Sequence, residues 1–409
     1  MKKIVYLCIT LLLSMNLMAQ IDPYDRNWDT IVSDDFNETN RQFDNTFQEP
    51  LGKWLSFVPS LWPSGVTKDG THQIYQWNHC VFDAANSVLR LNSQFIRETP
   101  ILCADQSDYY DIPPQLYSLQ YHCNSNHHHL YYYSGMIESP PQDTTAKTKN
   151  LPPPRFRYGF FEIRCWLPIH EGAFPAFWLW DADPTDPTDT YYEEIDIFEF
   201  SWAFEDTIPS HNPHPHGAGN PYCFTTGAYY KHNDTANTDI WRCSVARNYP
   251  MIGDSLNHWH TYACEWMPEH IIWYCDGIIV NEYHNPDSIP SHHLALKANY
   301  AIDHYALQQQ DEDWIPVWRG SDSMVIDYIN VYQLKWDCNT DEFITCQQDL
   351  DSLDYAVKRN VNINASLGNV IVRNTDKVTF RVSDSFEITG PFQADSGGEM
   401  TVIMQQCPE

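Results

Sequence analysis

The sequence predicts an all-β protein, a sandwich of two antiparallel sheets followed by a small β domain. Three observations lead there. Short apolar segments of strand length recur between clusters of Pro, Asn, Asp and Gly. Apolar spacing of the helical kind is scarce. All fifteen tryptophans lie between Trp28 and Trp336, so the chain changes character near residue 340.

The chain opens with Lys2 and Lys3, an almost wholly apolar run from Ile4 to Leu13, and Ala19 before Gln20. That order reads as a secretory signal peptide, residues 1–19, too short to span a bilayer. Cys8 lies inside the apolar run rather than just after a small residue, which speaks against a lipid anchor. Residues 20–336 then form one large β unit, 337–346 a linker and 347–409 a small β module. The 54 Asp and Glu against 24 Lys and Arg give a net charge of −30, which repels nucleic acid and anionic membranes. It also disfavours a polyanionic substrate. No later stretch is apolar enough for a membrane span. The expectation is a secreted monomer with no cofactor requirement.

Taken along the chain, Val88-Leu89-Arg90-Leu91 and Met324 to Val331 read as strands. Phe161 to Cys165 alternates apolar and polar, as a strand with one buried face should. His260 to Asp276 reads as a hairpin with Pro268 in its turn, and Asp276-Gly277 supplies a second turn. Eleven cysteines follow the leader, and an odd number cannot all pair within one chain. Cys264 and Cys275 are either a disulfide pair or two buried thiols. Cys338, Cys346 and Cys407 could fasten the ends of the tail module. No C-x-x-C pair supports a zinc site. His127-His128-His129 and the group His211, His214 and His216 lie in loop-like sequence, where solvated histidines are the preferred reading over a metal site. The tail alternates in Val370 to Arg373 and Val378 to Val382.

The most informative stretch is Glu193-Glu194-Ile195-Asp196-Ile197-Phe198-Glu199-Phe200. On a strand, Glu194 and Asp196 share a face. Glu199 falls at i+5 rather than i+4, and one extra residue at Ile197-Phe198, a β-bulge, would return it to that face. Ile195, and one of Ile197 or Phe198, would then point inward. Three carboxylates on one face repel, and fold stability offers no reason for them. Repulsion does have a chemical use: it separates the protonation of neighbouring carboxyls, which is what glycoside hydrolysis asks of an acid and a nucleophile. The rival reading is an acidic edge strand with solvated carboxylates.

The flanks favour chemistry. Tyr158 to Arg164 with Leu167-Pro168, Gly172 to Leu179, Glu194 to Glu199, His260 to Gly277 and Met324 to Tyr332 resemble, in order, segments of glycoside hydrolase family 16. Asp34 to Asn37 resembles its opening strand more weakly. The resemblance implies a concanavalin-like β-jelly roll and retention through a covalent glycosyl-enzyme. By position, Glu194 matches the nucleophile, Glu199 the general acid/base and Asp196 the assisting acid. The bulged motif is the laminarinase, agarase and carrageenase form. Phe174 stands where the family has Trp, and a phenyl ring keeps a stacking face but offers less area and no N–H donor. Phe174, Trp178 and Trp202 are the substrate-binding candidates, each also compatible with plain core packing. A structural calcium ion is allowed by the resemblance, without assignable ligands. The tail resembles C-terminal β modules of secreted Bacteroidetes proteins. The reading is therefore a bacterial endo-β-glycanase cutting a polysaccharide such as β-1,3-glucan or an agar-type galactan. A non-catalytic carbohydrate-binding jelly roll and a transglycosylase are the alternatives.

Overall fold

In the computed structural model the described residues are 28–404, apart from 45–49, 52, 57–72, 97–100, 103–128, 140–155, 171, 181–190, 201–222, 234–238, 251–255, 303–306, 311–312, 317, 352–355 and 375–376. They divide into a large unit, Thr30–Tyr332, and a smaller one that holds Gln333 onward. The leader, Trp202, the two histidine patches apart from His129, and Cys407 lie outside the described residues.

Besides two further two-stranded sheets among the described residues, the large unit is built of two main sheets. One runs Ile278–Tyr283, Ile271–Cys275, Trp259–Trp266, Gly159–Trp166, Ser321–Leu334, Val88–Phe95, Tyr132–Ser134, Gln73–Tyr75. Its pairings are antiparallel except the last, where Gln73–Tyr75 lies parallel to Tyr132–Ser134. The other runs Asp239–Pro250, Cys223–Asn233, Tyr191–Glu199, Ala173–Trp180, Ala295–Ile302, Met136–Glu138, and is antiparallel throughout. One face of each supplies a shared apolar core. Phe161, Ile163 and Cys165 come from the first sheet, and Phe177, Leu179, Ile195 and Phe198 from the second, all completely buried. The alternation seen in Phe161 to Cys165 is this inward face.

The predicted hairpin is present. Trp259–Trp266 pairs with Ile271–Cys275, and Met267 N–H closes the Pro268 turn on His270 O. Asp276 and Gly277 have φ of +50° and +76°, the left-handed pair a tight hairpin turn requires. Cys264 and Cys275 are both free thiols. The ladder explains why: Cys264 pairs with Trp273 and Cys275 with Tyr262. The two cysteines are thus diagonal neighbours, about 7 Å apart, too far for a disulfide. Cys338 is disulfide-bonded, whereas Cys346 is free.

Two segments differ from expectation. The stretch Thr207 to Pro250 reads in the sequence as a long loop, yet Cys223–Asn233 and Asp239–Pro250 form a long antiparallel ribbon that extends the second sheet. The supposed linker 337–346 is mostly strand: Trp336–Ile344 lies parallel to Val357–Ile363. Its acidic, linker-like composition is answered across the ladder. Lys358 Nζ donates to Asp337 Oδ2 (2.8 Å), and Arg359 donates twice to Asp341 at 2.8 Å. In the smaller unit Val357–Ile363, Lys377–Ile388 and Glu399–Met404 follow side by side and parallel. Lys377 pairs with Glu399 and Val370 with Phe392, the same 22-residue offset in two sheets, so this part of the tail coils like a small parallel solenoid. Val361, Ile363, Val370, Val372, Val378 and Phe380 fill its core.

Candidate active site

Tyr191–Glu199 is the third strand of the second sheet, so it has a neighbour on both sides. Its register shows the extra residue. Against Ala173–Trp180, Glu194 pairs with Trp180, Asp196 with Trp178, Phe198 with Phe177 and Glu199 with Ala176. Against Cys223–Asn233, Asp196 pairs with Gly227 and Glu199 with Thr225. Ile197 is the residue left over. The bulge therefore lies where the i+5 spacing asks for it. One detail differs from the sequence reading: Ile197 and Phe198 both enter the core, at 1% and 0% exposure, rather than one of them.

Glu194, Asp196 and Glu199 consequently share the face turned away from the core. One carboxylate oxygen of each lies within 4.8 Å of one from each of the others. Asp196, in the middle, is buried, while Glu194 and Glu199 are half-buried. Outer acids open to solvent and a covered central one suit a site where the outer pair meets a substrate and the central one bears on its neighbours.

Three main anchors hold the strand. Glu193 turns to the other side, where its Oε2 accepts the Ser291 and His292 N–H groups at 2.7 and 2.8 Å. Phe200 N–H donates to Pro175 O (3.0 Å). Trp273, from the opposite sheet, donates its indole N–H to Asp196 O through the core (2.8 Å).

The neighbouring strand supplies rings. Phe174, Ala176, Trp178 and Trp180 alternate onto the acid face. Phe174 is half-buried and pairs with Ala301. Trp178 is half-buried beside Asp196, and its Nε1 donates to Asn299 Oδ1 (2.7 Å). Trp180, which the sequence reading passed over, stands opposite Glu194 with its ring 5.5 Å from that of Trp178. The alternation Phe174, Trp178, Trp180 was signal enough to find it. Both indoles, and Tyr75, pack against Met136. Burial pushes the Tyr75 hydroxyl well up, and hydrogen bonds with Gln73 and Asn299 offset that only in part. In the same row Lys297 pairs with Trp178 on one side and Glu138 on the other. Its Nζ donates to Glu138 Oε2 (2.7 Å), and both side chains are fully buried.

Two other donor clusters occur among the described residues. Asp34, Asp35 and Glu38 could suggest a calcium site, but the charge is met by side chains. Arg41 binds Asp34 at 2.6 Å, and Lys53 reaches Glu38 at 3.1 Å and Asp34 at 3.4 Å. This group does not fit a calcium ion, which takes six to eight oxygens. In the second cluster, Asp276 accepts Thr261 N–H (2.9 Å) and bonds His260 Nδ1 (2.7 Å). Burial and the Asp276 charge push the Cys275 thiol far above neutrality, so it stays protonated. These residues fasten the hairpin.

Comparison with known proteins agrees with this architecture. Residues 120–315 match the family described as Glycosyl hydrolases family 16. It is 28% identical over 180 residues to the endo-1,3-1,4-beta-glycanase ExsH of Rhizobium meliloti (strain 1021), covering 44% of this chain and 31% of that protein. It is 27% identical over 190 residues to a beta-glucanase of Rhodothermus marinus, covering 43% of this chain and 57% of that one. The chain spans less than two thirds of either relative. A crystal structure of a kappa-carrageenase from Zobellia galactanivorans superposes with a TM-score of 0.50 at 17% identity, covering 77% of this chain and 98% of that one. That likeness shows the fold, a β-jelly roll. No helix among the described residues is long and apolar enough to cross a membrane.

Proposed function

We propose that this protein is an exported, retaining endo-β-glycanase that cuts internal bonds of a neutral or weakly charged polysaccharide, β-1,3-glucan or an agar-type galactan. The observation that carries the reading is the approach of three carboxylates within 4.8 Å on one strand face. Retaining enzymes hold their two carboxyl groups about 5–5.5 Å apart, whereas inverting ones leave about 6.5–9.5 Å for a water. Glu194 attacks the anomeric carbon as Glu199 protonates the leaving oxygen. A glycosyl ester on Glu194 and a neutralised chain end result. Glu199, now a carboxylate, then takes a proton from water, which hydrolyses the ester with a second inversion. Asp196 lies between the two and orients Glu194. Phe174, Trp178 and Trp180 offer ring faces beside the acids, and sugar faces stack on such rings. Trp202 is retained as a candidate just past the strand.

The test is sugar release from purified protein on laminarin, mixed-linkage glucan, agarose, porphyran and carrageenan. Glu194→Ala is expected to abolish release from every polymer that wild type cuts while leaving the fold intact. Substantial residual activity in that variant refutes the assignment. Binding with no product over long incubation favours the non-catalytic alternative, and products longer than the starting oligosaccharide reveal transglycosylation.

A further inference from the structure

We propose that Trp273 is a positioning residue for the acid pair: its indole N–H, donated to the Asp196 main-chain carbonyl, fixes the bulge at Ile197. The inference rests on the glycanase reading for its kinetic consequence, though not for its structural one.

In a regular strand the carbonyls lie in the plane of the sheet and bond to neighbouring strands. A bulge disturbs that ladder locally, and a buried carbonyl there still needs a donor. Asp196 is the last residue in register before the skip on both sides of its strand. Its carbonyl accepts from a ring that belongs to the other sheet, across the core. Trp273 is completely buried, in the strand Ile271–Cys275 that lies between two partners. The donor is thus held by a rigid element, and the acceptor marks the residue where the bulge begins.

The location of the bulge decides which acids share a face. Side chains alternate with a period of two, so a skip moved by one residue turns the residues between the old and new positions over. Glu194 and Asp196 precede the skip and Glu199 follows it by one paired residue, Phe198. A skip displaced beyond Glu199 sends that carboxylate into the core side, and one displaced before Asp196 turns over the central acid. Turning either carboxylate into the core is already costly, and the anchor at Asp196 adds a directional constraint at the residue where the skip begins. Trp273 touches no reacting atom in this scheme. It acts through the backbone of Asp196.

The experiment compares Trp273→Phe, and a Trp273 replacement by benzothienylalanine that keeps the bicyclic shape without the N–H, against wild type. Leu89→Ala, a buried truncation in the strand Val88–Phe95, controls for general loosening of the core. Both Trp273 replacements are expected to lower kcat about 10- to 100-fold, as a displacement near 1 Å does, with KM changed less than about threefold and the pH–rate profile displaced. Leu89→Ala, matched or greater in loss of thermal stability, is expected to leave that profile in place. Crystal structures of wild type and Trp273→Phe form the second arm, with the bulge moved or the Asp196 carbonyl turned in the variant. Unchanged kcat and pH profile in the benzothienylalanine protein overturn the proposal. If wild type cuts no glycan the functional reading fails, and the crystallographic arm alone decides: a bulge still at Ile197 in Trp273→Phe overturns the inference, and a displaced one supports it.

Discussion

Lys297→Met should be among the most damaging single changes in the large unit. Lys297 and Glu138 are both fully buried and joined at 2.7 Å on the acid face of the second sheet. Removing one member of a buried ion pair costs about 3–5 kcal/mol, because the remaining charge stays desolvated without this partner. Domains are stable by only about 5–15 kcal/mol in total. With a urea slope of about 3 kcal/mol per molar, the expected loss moves the midpoint down by about 1–1.7 M. Nearly all of the fifteen tryptophans lie in this unit, so intrinsic fluorescence follows its unfolding. The double change Glu138→Leu with Lys297→Met should recover most of the loss, since apolar side chains of similar volume replace such pairs at little cost. A midpoint for Lys297→Met within about 0.3 M of wild type would refute the reasoning. So would a double variant as unstable as the single one.

Other outcomes follow from the same geometry. Trp180→Ala should raise KM about fivefold while lowering kcat less, since a stacked ring is worth about 1 kcal/mol; steady-state kinetics on an oligosaccharide checks it, and an unchanged KM removes Trp180 from the sugar site. Asp34 is pulled up by burial, but hydrogen bonds and charge from Arg41, with Trp54 and Lys53, hold it below its ordinary 3.8. The sign follows: the folded carboxyl is the stronger acid, so its stabilisation is present above pH 3.8 and is lost as pH falls through the lower folded value. Denaturation between pH 5 and 2 should therefore show a shallower acid loss in Asp34→Asn than in wild type, and parallel curves would contradict it. Cys165, Cys264 and Cys275 are buried free thiols raised mainly by desolvation, and Cys80 is pushed up to about 12. Iodoacetamide at pH 8 should leave all four unlabelled in the native protein and label them in denaturant without reductant, read by peptide mass. Protection of Cys264 and Cys275 until reductant is added would mean that they are disulfide-bonded after all.

What could be read in the sequence depended on whether the cause was local. The acid strand was legible because its pattern violates stability in a specific way: repelling carboxylates at i, i+2 and i+5 have one geometric reconciliation, a bulge, and the register skips there. The Asp276-Gly277 turn was legible because its residues favour positive φ. By contrast, the Lys297–Glu138 pair joins residues 159 positions apart, and neither side carries a local mark. The charges of Trp336–Ile344 suggest a solvated linker until Lys358 and Arg359 stand beside them on a parallel strand. Parallel pairing itself leaves little trace in single short strands of Val and Phe. The Cys264–Cys275 pairing failed on a two-residue offset in the ladder, which spacing along the chain does not reveal. Trp273 was recognisable as an aromatic in a hairpin, but its hydrogen bond goes to a main-chain atom, and a main-chain acceptor has no letter in the sequence.

The bulge also ties stability to chemistry in one strand. In an unbulged strand carrying acids at i, i+2 and i+4, two alternating residues between them face inward. Here three side chains, Ile195, Ile197 and Phe198, are buried beneath three acids. The additional buried residue contributes apolar contact that offsets the cost of bringing carboxylates within 4.8 Å of each other. It also sets where the second half of the strand turns its side chains. Truncating Ile197 therefore acts on both sides of the sheet at once: it opens a cavity in the core, and it loosens the constraint that keeps Glu199 beside Glu194. A truncation at Phe177, which pairs with Phe198 from the next strand, acts on the core side first and reaches the acids only through that strand's register. The difference in activity between two such variants of equal stability measures how much of the acid geometry the bulge itself supplies.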